Sequence, residues 1–385
     1  MKTTQNTSQP QKADHLIMLD LVRFLAAVLV MGLHLGFWGW WRAGDALGTI
    51  AEMFPNYPEL PEGTSLFWFG WVGVQIFFVI SGLVITMSAE NSSPLSFLRS
   101  RFLRIYPAAW VCATLSLLIV GYAASGFDQG IIGRYLNSLL LSPYPRWIDG
   151  VYWTLALELV FYGIIFLLLV AGYKQQLPLL GIVLGSASSL YVAGLAAGIA
   201  PTGWFFTLLL LRHGTFFAIG MLIWLIGRGK APRIYYVFVI LFTSAGIMEI
   251  RHAAGEKLDA LNFAAPLWPP VAVWLAASVI IFASVSHAQA SNRLLRRSKS
   301  LLRVLGLATY PLYLTHQTIG GFAGSLAMSA GISRQFAFLI AVTSATAAGV
   351  LIALKLEPAL RRLVAPKFDY LAAVCARAGN RAKYG

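Results

Sequence analysis

Runs of about 18–25 almost wholly apolar residues succeed one another along this chain, and a helix of that length is what crosses the hydrocarbon core of a bilayer. They cover residues 18–40, 67–88, 103–124, 150–172, 177–199, 202–227, 233–250, 264–287, 301–325 and 335–357. Hydrophobic residues make up 58% of the 385 and charged ones 11%, with a mean hydropathy of +0.70. Soluble domains carry about 25% charge, so a water-exposed globule is excluded. The expected fold class is all-α: a polytopic membrane bundle of about ten transmembrane helices. Ile131–Leu141 is apolar too, but at eleven residues it is too short to cross and reads as an interfacial or re-entrant piece.

The net charge of +14 belongs to the same picture. Lys and Arg collect on alternate loops, 21 on one side and 6 on the other, with Arg23 and Arg212 inside spans. Positive charge holds cytoplasmic loops in place, so the N- and C-termini are expected inside. No nucleic-acid motif or basic-aromatic surface accompanies the charge, which argues against nucleic acid as a partner. Asp45, Glu52, Glu59 and Glu62 of the first outer loop fit the same orientation. Cys112 and Cys375 offer neither a disulfide framework nor a metal spacing, so no metal site is expected. The polar start lacks the form of a cleaved signal, so the first apolar run reads as a retained span. The expected organisation is a cytoplasmic segment over 1–17, a membrane domain over 18–357 and a basic cytoplasmic tail over 358–385.

Ionisable groups inside spans are costly and mark function. "LVRFLAAVLVMGLHLGFWGWW", residues 21–41, carries Arg23 and His34, eleven residues apart. That spacing is about three turns, so both lie on one face, roughly 16 Å apart along the axis. "SFLRSRFLRIYP", residues 96–107, brings Arg99, Arg101 and Arg104 to the inner boundary. Arginine suits bidentate phosphate binding better than lysine does. "VYWTLALELVFYG", residues 151–163, places Glu158 about two turns into the fourth span, at a depth similar to that of His34. A carboxylate and an imidazole at one depth can form a base and its orienter, or simply a polar pair joining two helices. "LGLATYPLYLTHQTIGG", residues 305–321, sets His316 above Tyr310 and Tyr313, and Arg212 with His213 forms another intramembrane pair. Trp153, Arg212, Tyr310 and His316 are candidate substrate-binding residues. Trp38, Trp40 and Trp41 read as an aromatic belt, or as a stacking platform for a sugar ring. In "FGWVGVQIFFVISGLVI", Gly70, Gly73, Ser81 and Gly82 are expected to serve close helix packing.

Taken in order, "LDLVRFLAAVLVMGLH", "GVQIFFVISGLVI", the Arg-x-x-Arg of "RFLRIYP", "WTLALELVFY" and "LGLATYPLYLTH" resemble the acyltransferase 3 family of integral membrane acyltransferases. The resemblance runs from about residue 18 to 357 and implies a residence in the bacterial cytoplasmic membrane. It implies transfer of an acyl group, usually acetyl, from acetyl-CoA or another acyl-CoA to a hydroxyl of a surface polysaccharide, glycolipid or other carbohydrate. CoA is then a co-substrate rather than a tightly bound cofactor. By the same resemblance His34 is catalytic, Glu158 is the family's fourth-span carboxylate, and Arg23, Arg101 and Arg104 are the family's arginines. Thr154 stands where Ser is common, and both carry a hydroxyl. Some relatives carry a fused esterase-like domain; without one, any later transfer partner is expected to be a separate chain or unnecessary.

CoA phosphates suit the inner group Arg23, Arg99, Arg101 and Arg104, and the pantetheine arm can carry a thioester toward mid-membrane. His34 can then activate an acceptor hydroxyl or take the acyl group covalently first, and both routes remain open at this point. The reading from another class is a transporter of a lipid-linked sugar or small anion. Intramembrane charge suits it, but the sequence lacks the paired broken spans of two similar halves.

Overall fold

The computed structural model describes residues 16–37, 66–229, 231–260 and 264–384, with side chains as far as Tyr370. Among these residues the chain is helical and has no strand. In order the main helices are α1 (Ile17–Met31), α2 (Val72–Glu90), α3 (Pro94–Ala123), α4 (Gln129–Leu140), α5 (Trp153–Val170), α6 (Leu177–Ala196) and α7 (Gly214–Gly227). Then come α8 (Ile234–Ala260), α9 (Trp268–Ser286), α10 (Lys299–Thr315), α11 (Gly321–Ser329), α12 (Arg334–Leu351) and α13 (Glu357–Tyr384). Among the described residues eight helical segments are long and apolar enough to cross a membrane, so the protein is a polytopic helical bundle. Trp38, Trp40, Trp41 and the acidic first loop lie outside the described residues.

The other two expected spans take a different form. The run 202–227 is not one helix: it breaks around Leu210, which adopts a left-handed conformation at φ 61°, and Arg212 and His213 fall in the break. The helix beyond the break, α7, has 14 residues, about 21 Å of helix against a hydrocarbon core of about 30 Å. It survives because it meets protein on all sides. Gly214 to Ile223 are buried without exception, among α2, α6, α8 and α9. Irregular backbone is tolerated at membrane depth only where protein or water covers it. The run 301–325 is likewise divided, into α10, a π-helical turn over His316–Gly320, and α11.

Close helix approach is set by small residues, as expected for Gly70, Gly73 and Gly82. Gly70 and Gly73 face the Leu29 and Ala26 carbonyls of α1, while Gly82 of α2 and Gly220 of α7 each lie against the other helix's backbone. The short apolar piece is the amphipathic helix α4, capped by Asp128, whose side chain accepts from the Ile131 N–H at 2.7 Å. It lies along α3, where Trp110 donates to the Leu139 carbonyl at 2.9 Å.

The longest single α-helix among the described residues, α3, contains Pro107, which lacks the N–H that would reach the Leu103 carbonyl four residues back. Arg361 of α13 fills the gap: its Nε and Nη2 donate to that carbonyl at 3.0 and 2.7 Å. The guanidinium also meets Glu357, at 3.2 Å. A proline thus fastens the C-terminal helix to the arginine-rich end of α3.

Candidate active site

At that end of the bundle α1, α3, α10 and α13 frame a mouth of about 510 Å³. Arg23, Arg99, Arg101, Arg104, Arg303 and Arg361 line it, with Asp20 as the carboxylate beside Arg23, 3.8 Å away. The mouth narrows into a cavity of about 120 Å³, and Arg23, Val84, Arg101 and Arg104 belong to both. The arginines are not equivalent. Arg99 forks onto Asp369 of α13 at the rim, so its charge is already matched. Arg101 lies over the rings of Phe97 and Tyr162, 5.8 and 6.0 Å from their centroids, and its buried Nε has no hydrogen-bond partner among the described residues. Arg104 lies over Tyr310, 5.9 Å from the centroid. Aromatic faces hold both guanidinium groups; Arg101 Nη2 donates to Ser100 Oγ at 2.9 Å and Ser88 Oγ at 3.4 Å, while its Nε–H is left for an anion. Arg303 and Arg361, counted in the sequence only as anchors, complete the ring.

The cavity runs inward past Ser81, Thr154, Glu158 and Tyr162 to Phe77 and Tyr313. Ser81 donates to Glu158 Oε1 at 2.5 Å and Tyr162 donates to Oε2 at 3.0 Å. Two expectations are corrected by these contacts. Ser81 is not merely a packing residue, and the carboxylate of Glu158 is engaged by Ser81 and Tyr162 rather than by His34. A signal for Ser81 was present: Val74, Phe77, Ser81, Val84 and Ile85 recur at helical spacing, and Ser81 is the hydroxyl on that stripe.

His34 sits in a π-helical turn, Gly32–Phe37, that extends α1. Its Nδ1 is 2.8 Å from Nε2 of His316, which lies in the π turn after α10. His316 is buried, 1% exposed, with Nδ1 2.8 Å from the Tyr313 carbonyl and 3.2 Å from that of Leu312. The Tyr313 ring stands between the cavity and the pair, 6.0 Å from His316 and 5.6 Å from Phe77. Thr154 donates to its hydroxyl at 3.2 Å. Two sequence candidates therefore meet, His34 and His316, beyond Tyr313, while Tyr310 lies on the mouth side beneath Arg104.

Arg212 and Trp153 do not join this constellation. Arg212 is taken up by Glu249, 3.2 Å away and 1% exposed, and by Glu256, both on α8. That network answers what an intramembrane arginine faces: two carboxylates. Trp153 packs on Phe78 and His213, with ring centroids 6.1 and 5.6 Å apart. Lys257 lies over the Trp71 ring at 5.4 Å.

A helical membrane bundle with an arginine-lined mouth opening toward an imidazole pair has the form of an integral membrane acyltransferase. The family profile described as an acyltransferase domain matches residues 16–355, and the chain belongs to that family, the acyltransferase 3 family of the sequence resemblance. It is similar to the exopolysaccharide production protein ExoZ of Rhizobium meliloti, 27% identical over 315 residues, 77% of this chain and 91% of that one. It is similar to nodulation protein 10 of Rhizobium leguminosarum bv. viciae, 27% identical over 355 residues, covering 81% and 85% of the two chains. A shorter match, 33% over 109 residues (24% of this chain and 33% of the other), is to an O-acetyl transfer enzyme, the O-acetyl transferase of Shigella phage Sf6. No solved structure matches. Membership of that family makes the protein an acyltransferase, which sets the transporter expectation aside.

Proposed function

We propose that the protein moves an acyl group, acetyl in the first instance, from cytosolic acyl-CoA to a hydroxyl of a carbohydrate or glycolipid presented at the far side of the bacterial cytoplasmic membrane. The observation that carries this reading is the continuous cavity from the arginine mouth, past Glu158, to Tyr313, whose ring lies against His316 of the histidine pair. Phosphates of the nucleotide meet Arg23, Arg101 and Arg104, whose planar forks suit them. The pantetheine arm follows the narrow cavity, where Glu158 can accept from an amide N–H. The thioester then reaches the level of Phe77 and Tyr313, and His34 acts as general base toward the acceptor hydroxyl. The hydroxyl proton passes to His34 as the oxygen attacks the thioester carbonyl. The C–S bond breaks, and the thiolate leaves with that proton. The 21-to-6 distribution of Lys and Arg supports an arginine mouth on the cytoplasmic side. Relatives named for exopolysaccharide production and O-acetyl transfer support a carbohydrate acceptor.

The test is mass spectrometry of surface glycans and glycolipids from cells with and without the gene, and from cells carrying His34→Ala. An acyl mass difference lost in both mutant strains is expected, with donor turnover by purified protein in nanodiscs lost in parallel. Undiminished acylation in cells carrying a correctly inserted His34→Ala protein would remove His34 from the chemistry.

A further inference from the structure

The contact between the two histidines fixes more than their positions. His316 Nδ1 faces the carbonyls of Tyr313 and Leu312, and a carbonyl only accepts. Nδ1 therefore carries the hydrogen, and the neutral ring keeps its lone pair on Nε2. That lone pair points at His34 Nδ1, 2.8 Å away. One hydrogen is needed between the two nitrogens, and His316 Nε2 has none to give. It belongs to His34 Nδ1, so neutral His34 carries its lone pair on Nε2.

The support for His316 is built from three elements. The π turn that holds it is tied to α3, where Ser116 Oγ and Thr318 Oγ1 are 3.0 Å apart. It is tied to the segment before α5, where Gln317 donates to Asp149 Oδ1 at 3.2 Å. It also packs against the π turn of His34, with Gly320 beside Leu35 so closely that a Cβ would press on that side chain. Wide turns of this kind are rare and frequently lie at functional sites. Here one lies under each histidine.

We infer that His316 is a positioning residue: it accepts from His34 Nδ1–H and so holds the base in the tautomer whose Nε2 takes the acceptor's proton. Tyr313's carbonyl, His316 and His34 form a relay of orientation in which a neutral imidazole does what a carboxylate does in a hydrolase triad. The proton balance is unchanged. Nε2 of His34 gains the hydroxyl proton and returns it to the thiolate, while His34 Nδ1–H keeps its hydrogen throughout and donates to His316 in both charge states. This inference rests on the reading of His34 as the base.

Two measurements test it. In ¹⁵N-histidine-labelled protein in nanodiscs, with the His34 signals assigned by their loss in His34→Ala, Nδ1 should be protonated and Nε2 should not. The opposite pattern in wild-type protein overturns the inference whatever the activity. The second is glycan acylation in deletion cells carrying His316→Phe, His316→Asn or His316→Gln, with donor affinity and thermal stability measured on each purified protein. His316→Phe should lower acylation about 100-fold or more, as loss of an orienter does, with acyl-CoA affinity and melting temperature retained. The better of the two amides, whose oxygen can accept from Nδ1–H, should stay within about 10-fold of wild type. Wild-type acylation by His316→Phe, or equal loss in Phe and both amides at equal stability, overturns the positioning role. Activity retained by His34→Ala instead overturns the underlying reading, which separates the two failures.

Discussion

Replacing Arg101 by lysine keeps the charge at the mouth and removes what the geometry adds to it. Arg101 rests on Phe97 and Tyr162, and its buried Nε–H has no partner among the described residues. A lysine ammonium has no Nε–H at that point and no plane to stack. One hydrogen bond to a charged group is worth about 1.5–3 kcal/mol. Taking about 2 kcal/mol as the loss, with the Coulomb attraction kept, donor binding should weaken roughly 30-fold. The assay is calorimetric titration of the protein in nanodiscs with acetyl-CoA and with acetyl-pantetheine, which lacks the nucleotide and its phosphates. Arg101→Lys should lose affinity for the first and stay within about two-fold for the second. Unchanged acetyl-CoA affinity would reduce Arg101 to a boundary charge. Equal loss for both ligands would place its contact away from the phosphates and refute the reasoning.

The fold makes three further outcomes testable. Gly220→Ala should destabilise the protein by about 1–3 kcal/mol or more, because its Cβ would enter the backbone of α2 at Val79, while Gly255→Ala, open on all sides, should be neutral or slightly stabilising; thermal unfolding in detergent distinguishes them. Arg361→Met should cost about 1–2 kcal/mol by stranding the Leu103 carbonyl, and less in a Pro107→Ala background, where the new N–H can reach that carbonyl; equal costs in both backgrounds would refute the link. In a protein freed of Cys112 and Cys375, cysteines at Ser125 and Ser298 should label from outside and inside respectively, and labelling of both from one face would overturn the proposed topology.

The sequence carried one coordinate of this structure well. Apolar run length and spacing give height along a helix at about 1.5 Å per residue, which is why Arg23, Arg99, Arg101 and Arg104 meet at one end of the bundle. The angle around each helix relative to its neighbours is another matter. His34 and Glu158 read as equal in depth, and a pair is the natural expectation, but the bundle turns Glu158 toward Ser81 and Tyr162 and turns His34 toward His316. The break at Leu210 is hidden for a related reason. "LLLLRHG" is apolar enough to pass for helix, and only the close packing around α7 lets a short helix and an irregular turn lie where a full span is expected. Arg361 lies in a basic tail, where nothing local distinguishes a charge that caps a proline-opened carbonyl from one that anchors a loop.

The two wide turns have a consequence for how the chain can change. A π turn is an ordinary helix holding a surplus residue, and each residue added or removed swings everything beyond it by about 100°. Deleting one position from Gly32–Phe37, or one from His316–Gly320, would therefore heal the helix and at the same time rotate a histidine off its partner. Selection for a sturdier scaffold and selection for turnover pull in opposite directions at these two points. A single in-frame codon loss there is the kind of mutation expected to yield a well-inserted, more robust and silent protein.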